Sequence, residues 1–384
     1  MGKTVKINFE KARRRRQFFQ RAKRFLVMGI IMLAVIAVMA INNFLVENGM
    51  SIHLSDTVES FGGAGYPTDL PGGIIHDVKS LGKNMAVLND TNLYIYSPKA
   101  RIISNTQEMS DSTILTTTGS RLITYNVGSK RYRINSASQN LLDKETEDSI
   151  LAADMGENGE YAIVTSPMRF VAMITVYSNK FEPIFYSYSA ENHITGVSLS
   201  PNGNMMVTSG INTSNGMLIS VITYYHFASD EPVASLTLED ALILNMDFYE
   251  NGSVGILTDH EYIVTDVFGH IVSTYTLPDG NVTSFRRYKG ETAITIENKE
   301  TRRETLILLN SKCEEQWHLT MDGKMRDVAI GPKKVYVLDN SGIFVYNRSQ
   351  ELIGQLDMSG ITRIHAAENT LYYFTQSEIA IMED

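Results

Sequence analysis

The sequence predicts an all-β protein: a β-propeller of eight blades, with seven as the alternative, preceded by one transmembrane α-helix. Three observations predict it. One uncharged apolar run follows directly on a strongly basic amino terminus. From Ile74 onward the chain is a succession of short β-type runs separated by Asn-Gly, Asp-Gly and Ser-Gly turns, with no helical-period stretch long enough for a core helix. Those runs recur at the spacing of propeller blades.

The amino-terminal elements follow from charge and hydropathy. Of 34 Lys+Arg and 43 Asp+Glu, ten basic residues and only Glu10 lie in residues 1–24; that segment is +9, and the remaining 24 basic and 42 acidic residues leave −18. Phe25–Val46 is 22 residues long and carries no charge. A helix of that length spans the ~30 Å hydrocarbon core. Basic flanks stay in the cytoplasm, so the amino terminus is expected inside, the body outside, and the bilayer is a partner through residues 25–46. A cleaved signal peptide would have a shorter apolar run and a shorter basic region. The Arg13–Arg16 run reads as a topogenic signal beside a membrane span rather than as a nucleic-acid patch.

The linker, 47–73, includes a Gly/Pro-rich stretch, Phe61–Gly73. Gly63 and Gly65 resemble the start of a dinucleotide fingerprint, but Thr68 stands where the third Gly belongs and Pro67 intervenes.

The propeller itself is expected at 74–384. Asn-Gly turns sit at Asn158, Asn202 and Asn251, at intervals of 44 and 49 residues. An apolar strand ending in Tyr plus a small polar residue recurs at Tyr96, Tyr177 and Tyr346, separated by 81 and 169 residues. These are two and four units of about 40–45 residues, each holding several strands. Inner strands are expected to start near Ile75, Thr113, Ile150, Ile194, Leu242, Thr283, Arg326 and Thr362. The eighth unit has room for only three strands before Asp384. An open last blade leaves an unpaired edge, so a closing strand is expected from the amino-terminal side, with Ser51–Ser60 as the candidate.

On these turns and strand spacings, with Ser200–Gly203 (SPNG) the most family-like turn, residues 50–384 resemble the PQQ-like/WD40-like propellers. Among them the chain is similar to uncharacterised bacterial proteins with one amino-terminal membrane span. The resemblance implies a fold and no site residue. The per-blade Trp docking motif of quinone-dependent relatives is missing, since Trp317 is the one Trp.

Chemistry is sparse in the sequence. One Cys, Cys313, excludes an intrachain disulfide and Cys-based metal clusters. No catalytic, cofactor-binding or metal-ligating residue is assigned. The eight His form no HxH or HxxxH pair, and the tightest cluster, Asp259-His260-Glu261, offers too few donors for a metal. Neither GxSxG nor a P-loop occurs. Glu314-Glu315 and Glu239-Asp240 are neighbours that would point to opposite strand faces. The Arg286-Arg287 and Arg302-Arg303 doublets read as surface turns, with a local anion or partner site as the alternative.

The resulting expectation is a cell-surface module that binds a protein partner without catalysis. The −18 body argues against nucleic acid. The competing expectation is a tethered hydrolase or lyase with an active site on the propeller axis, with His76, Asp154, Asp247 and His365 converging there. Polar residues facing the axis at one level would favour it, whereas an apolar or glycine-lined axis with one continuous apolar outer patch would favour the scaffold. A third expectation is a sensor coupled to a cytoplasmic partner through the basic tail.

Overall fold

The computed structural model describes Met32, residues 50–107 and residues 112–382. Two compact units divide the chain, Met1–Val58 and Glu59–Asp384. The basic tail and, apart from Met32, the apolar run 25–46 lie outside the described residues. Among the described residues no helix is long and apolar enough to cross a membrane.

The second unit is an eight-bladed propeller of four-stranded antiparallel sheets. The blades' first strands begin at Ile75, Ile114, Ser149, His193, Ile243, Asn281, Asp327 and Arg363, each within two residues of the start read from the sequence. The Asn-Gly period is the turn between first and second strands of blades three, four and five. There Gly159, Gly203 and Gly252 donate N–H groups to the carbonyls of Gly156, Ser200 and Tyr249 at 3.0, 2.9 and 2.9 Å.

The Tyr-plus-polar signature also has a physical meaning. Tyr96 and Tyr177 end the third strands of blades one and three, Tyr346 is the last residue but one of that of blade seven, and in each the polar residue that follows builds the next turn. The Ser97 hydroxyl accepts the backbone N–H of Arg101 at 3.0 Å, and the Asn347 side chain accepts that of Glu351 at 2.9 Å. Short Ser and Asn side chains substitute for a backbone acceptor in this way.

Each sheet packs on the next, so the middle strands are covered on both faces and read as continuous apolar runs. Asn84–Asn89 and Val254–Thr258 are buried along their whole length. Outer strands have one wet face and alternate, as Ala234–Glu239 does. The core is correspondingly divided among the interfaces between neighbouring blades. Ile174 and Val176 of blade three pack with Leu199 and Met206 of blade four, and Val87 and Tyr96 of blade one pack with Phe374 and Ile379 of blade eight.

Ring closure corrects one expectation. Ser51–Ser60 does not supply the strand, because Met50–Glu59 is a helix. Met50, Leu54 and Val58 recur at four-residue spacing, a helical period. The closing strand is Thr68–Asp69, inside the Gly/Pro-rich stretch. It pairs with Ile379 and Glu378, and Leu70 N–H extends the ladder to Ser377 O at 2.8 Å. The stretch then ties blade eight to blade one. Tyr66 packs edge-on against Tyr372, 5.1 Å between ring centroids, and its hydroxyl donates to Ser97 O at 3.2 Å.

Candidate axial site

The first strand of every blade lies at one edge of its sheet. First strands touch at seven of the eight junctions, blade eight to blade one included, and the Arg287–Asp247 ion pair spans the remaining one between blades five and six, so these strands enclose the axis. In five blades the strand carries a bulge at the same place, just after Ile75, Ile150, Ile194, Ile243 and Val282. A bulge re-aims the residues that follow it. Four residues beyond these anchors stand Lys79, Asp154, Ser198, Asp247 and Arg286. His365 of blade eight has the same spacing from buried Ile361.

These side chains form one electrostatic neighbourhood. Burial, followed by the nearby Asp247 carboxylate, raises the Asp154 carboxyl to about 7. The N–H of Leu199, donated to Asp154 Oδ2 at 2.8 Å, works in the opposite direction. Asp247 forms an ion pair with Arg287 at 3.2 Å, and the Ser198 hydroxyl lies 3.5 Å from Asp247 Oδ1. Burial, then Lys79 and Arg286, lowers His365 to about 4. Its Nε2 lies 3.0 Å from Ser80 Oγ. The ring is therefore polarised. Asp154 and Asp247 occupy blades three and five, while Arg286, His365 and Lys79 occupy blades six, eight and one.

Asp154, Asp247 and His365 are thus brought to one neighbourhood, as the axial expectation requires. His76 is not. It sits in the bulge beside Ile75, three residues short of Lys79. Its backbone carbonyl accepts a bond from Arg363 at 2.9 Å, and its buried Nε2 has no partner among the described residues.

The Arg286-Arg287 reading needs correction as well. The doublet lies in the first strand of blade six, Asn281–Tyr288, rather than in a surface turn. Arg286 pairs with buried Asp327 at 2.7 Å. Arg287 lies over the Tyr249 ring at 4.2 Å. Arg302 and Arg303 do sit at a turn, paired with Glu297 and Asp322 at 3.3 and 2.7 Å. Three surface His are likewise paired locally with acids, His260 with Asp259 at 2.9 Å, His270 with Asp266 at 2.9 Å and His318 with Glu315 at 2.6 Å. No group of three His, Cys, Asp or Glu with metal-binding geometry occurs among the described residues.

The chain matches the family of unknown function DUF5711 over residues 72–383, from just before the first blade to the end of the last. It belongs to that family. No curated protein sequence matches it. Solved propellers resemble this DUF5711 protein in structure. The C-terminal WD40 domain of Sif2 is 12% identical, with coverage of 84% of this chain and 100% of that one, at a TM-score of 0.59. BamB from Moraxella catarrhalis is 13% identical, covering 82% and 98%, with a TM-score of 0.52. A eukaryotic initiation factor is 10% identical, covering 85% and 89%, with a TM-score of 0.56. At such identities the likeness shows the fold alone.

Proposed function

We propose that the protein is a membrane-anchored binding module whose propeller docks a protein partner outside the cytoplasm. The anchor rests on the uncharged 22-residue run and its +9 flank. One observation carries the docking reading: an exposed aromatic strip on blade three. Along the outer strand Pro183–Ser189, Ile184, Tyr186 and Tyr188 alternate outward at 47%, 50% and 52% exposure. Phe170 reaches them from the neighbouring turn, 4.7 Å between its ring centroid and that of Tyr188. Arg169 lies over Phe170, and Met168 is fully exposed. Tyr, Phe, Met and Arg are the residues enriched at the buried centre of protein interfaces.

The test is a comparison of two baits. The full chain and its Tyr186→Glu/Tyr188→Glu variant are each used to capture partners from native membranes. The strip predicts a stoichiometric partner with the parent chain and none with the variant. Equal capture by both baits would overturn it.

The axial ring supports a second reading, a tethered hydrolase or lyase. Asp154, protonated near neutrality, and Asp247, paired with Arg287, are carboxyls in contrasting environments, the arrangement that divides acid from base. Turnover of a glycan or peptide by the parent chain, lost in Asp154→Asn, would favour this reading. Equal turnover by both would remove it.

A further inference from the structure

At the end of the propeller where blades seven, eight and one meet lies a cavity of about 800 Å³ with a basic lining. Lys324, Arg326 and Arg363 point at it, with Asn340, Thr362 and Gln376 between them. No carboxylate lines it. That is unexpected in a body carrying −18. An adjoining axial cavity of about 490 Å³ shares Arg326 and Arg363. Its one acid, Asp327, is already engaged by Arg286 at 2.7 Å and by the backbone N–H of Ile364 at 3.1 Å.

The cations are held by a fixed backbone. Lys324 and Arg326 flank Met325, which is buried between blades six and seven. Alternation along an extended segment therefore turns both charges away from the core together. Met325 N–H donates to Glu304 at 2.5 Å and Arg326 N–H to Leu338 O at 2.7 Å. Arg363 uses one guanidinium nitrogen on His76 O at 2.9 Å, which orients it and leaves its other donors available. Among the described residues, the side chains of Arg326, Asn340 and Gln376 have no hydrogen-bond partner. Lys324 has the Glu304 carboxylate nearby, but Arg326 and Arg363 have no ion-pair partner among the described residues, and an anion relieves their mutual repulsion.

We infer that this cavity binds the phosphoryl group of a small phosphate ester. Guanidinium forks match phosphate oxygens two at a time, and neutral amide and hydroxyl donors complete such a shell. The volume suits a ligand with an organic body as well as the anion. The site is separate from the aromatic strip on blade three and stands or falls independently of it.

The experiment is calorimetric titration of the solubilised full chain with glucose 6-phosphate, inorganic phosphate and glucose. The expected result is saturable binding of glucose 6-phosphate, weakened by added salt, with no binding of glucose. Arg326→Gln should weaken binding roughly tenfold, the loss of one charge-assisted contact. Arg131→Gln, on the third strand of blade two where Arg131 pairs with Asp143 at 2.5 Å, should leave it unchanged. The side chain of Arg326 is exposed and unpartnered, so an unchanged thermal midpoint shows that the variant folds. Inorganic phosphate binding as tightly as the ester would support the anion site and remove the organic body from the ligand. Absence of saturable binding at millimolar ester, equal binding by Arg326→Gln, or equal binding of glucose would each overturn the inference.

Discussion

At the scale of residues, the axial ring makes a pH prediction with a definite sign. Folded Asp154 titrates at about 7, against about 4 for an unfolded Asp. Between those values the folded chain binds the extra proton, so this group's contribution to stability is present below about 4 and is lost as pH rises to 7. His365 acts in the opposite sense. Its folded value of about 4 lies below the ordinary 6.5 or so, so its contribution is present above 6.5 and is lost as pH falls to 4. Asp154→Asn, a neutral isostere, should therefore raise the thermal midpoint by a few degrees at pH 8 and scarcely change it at pH 4. An equal shift at both values would mean that the carboxyl is not held protonated in the fold. His365→Gln should show the mirror image, gaining relative to the parent chain as pH falls from 7 to 4.

Residue-scale legibility was uneven for a physical reason. Asp154, Asp247 and His365 could be picked out because counting inner strands places them near the axis. Lys79, Ser198 and Arg286 were missed although they share the same four-residue offset from an apolar anchor. A basic doublet at 286–287 reads as a solvated turn, because sequence alone does not reveal Asp327 and Asp247 on neighbouring blades. The bulge that defines the offset is a property of pairing and leaves no mark on composition.

At the scale of elements, the closing segment depends on one glycine. Gly63 adopts φ 131°, and a Cβ built there would lie 1.8 Å from Lys99 O. Both the conformation and the contact exclude a side chain. Gly65 N–H donates to the same carbonyl at 3.1 Å. Gly63→Ala should cost about 3 kcal/mol in urea unfolding, with faster proteolysis ahead of Thr68. A loss under 0.5 kcal/mol or so would show that the segment does not rely on this approach.

Turns were the most legible elements, since Asn-Gly and Tyr-Ser pairs state their own geometry. The same turn chemistry recurs where the preceding residue is not Tyr. Asp266 accepts the N–H of His270 at 2.9 Å and Asn310 that of Glu314 at 3.0 Å. Those turns follow Thr265 and Leu309, so the Tyr pattern passed over blades five and six. The closing strand was placed wrongly because two paired residues, Thr68 and Asp69, carry too little alternation to be read as a strand.

At the scale of the whole molecule, function follows from how the ring partitions its surface. The blade interfaces consume most of the apolar side chains, and among the large apolar side chains left exposed, those of blade three's outer strand include two aromatics, Tyr186 and Tyr188. The axis is polar and the strip is apolar, and both lie on one ring whose edges are closed by Thr68–Asp69. Fold class and blade count were legible because the repeat imposes them eight times over. The partner was not legible, because a strip of Ile184, Tyr186 and Tyr188 looks in sequence like any strand.

The central claim, that blade three docks a protein, is tested most directly by site-specific photocrosslinking. A photoreactive phenylalanine placed at Tyr186 of the full chain in its native cells should give one discrete adduct on illumination. The same group at Leu352, exposed on the outer strand of blade seven, should give none. No adduct at 186, or indistinguishable adducts at both positions, would contradict the claim.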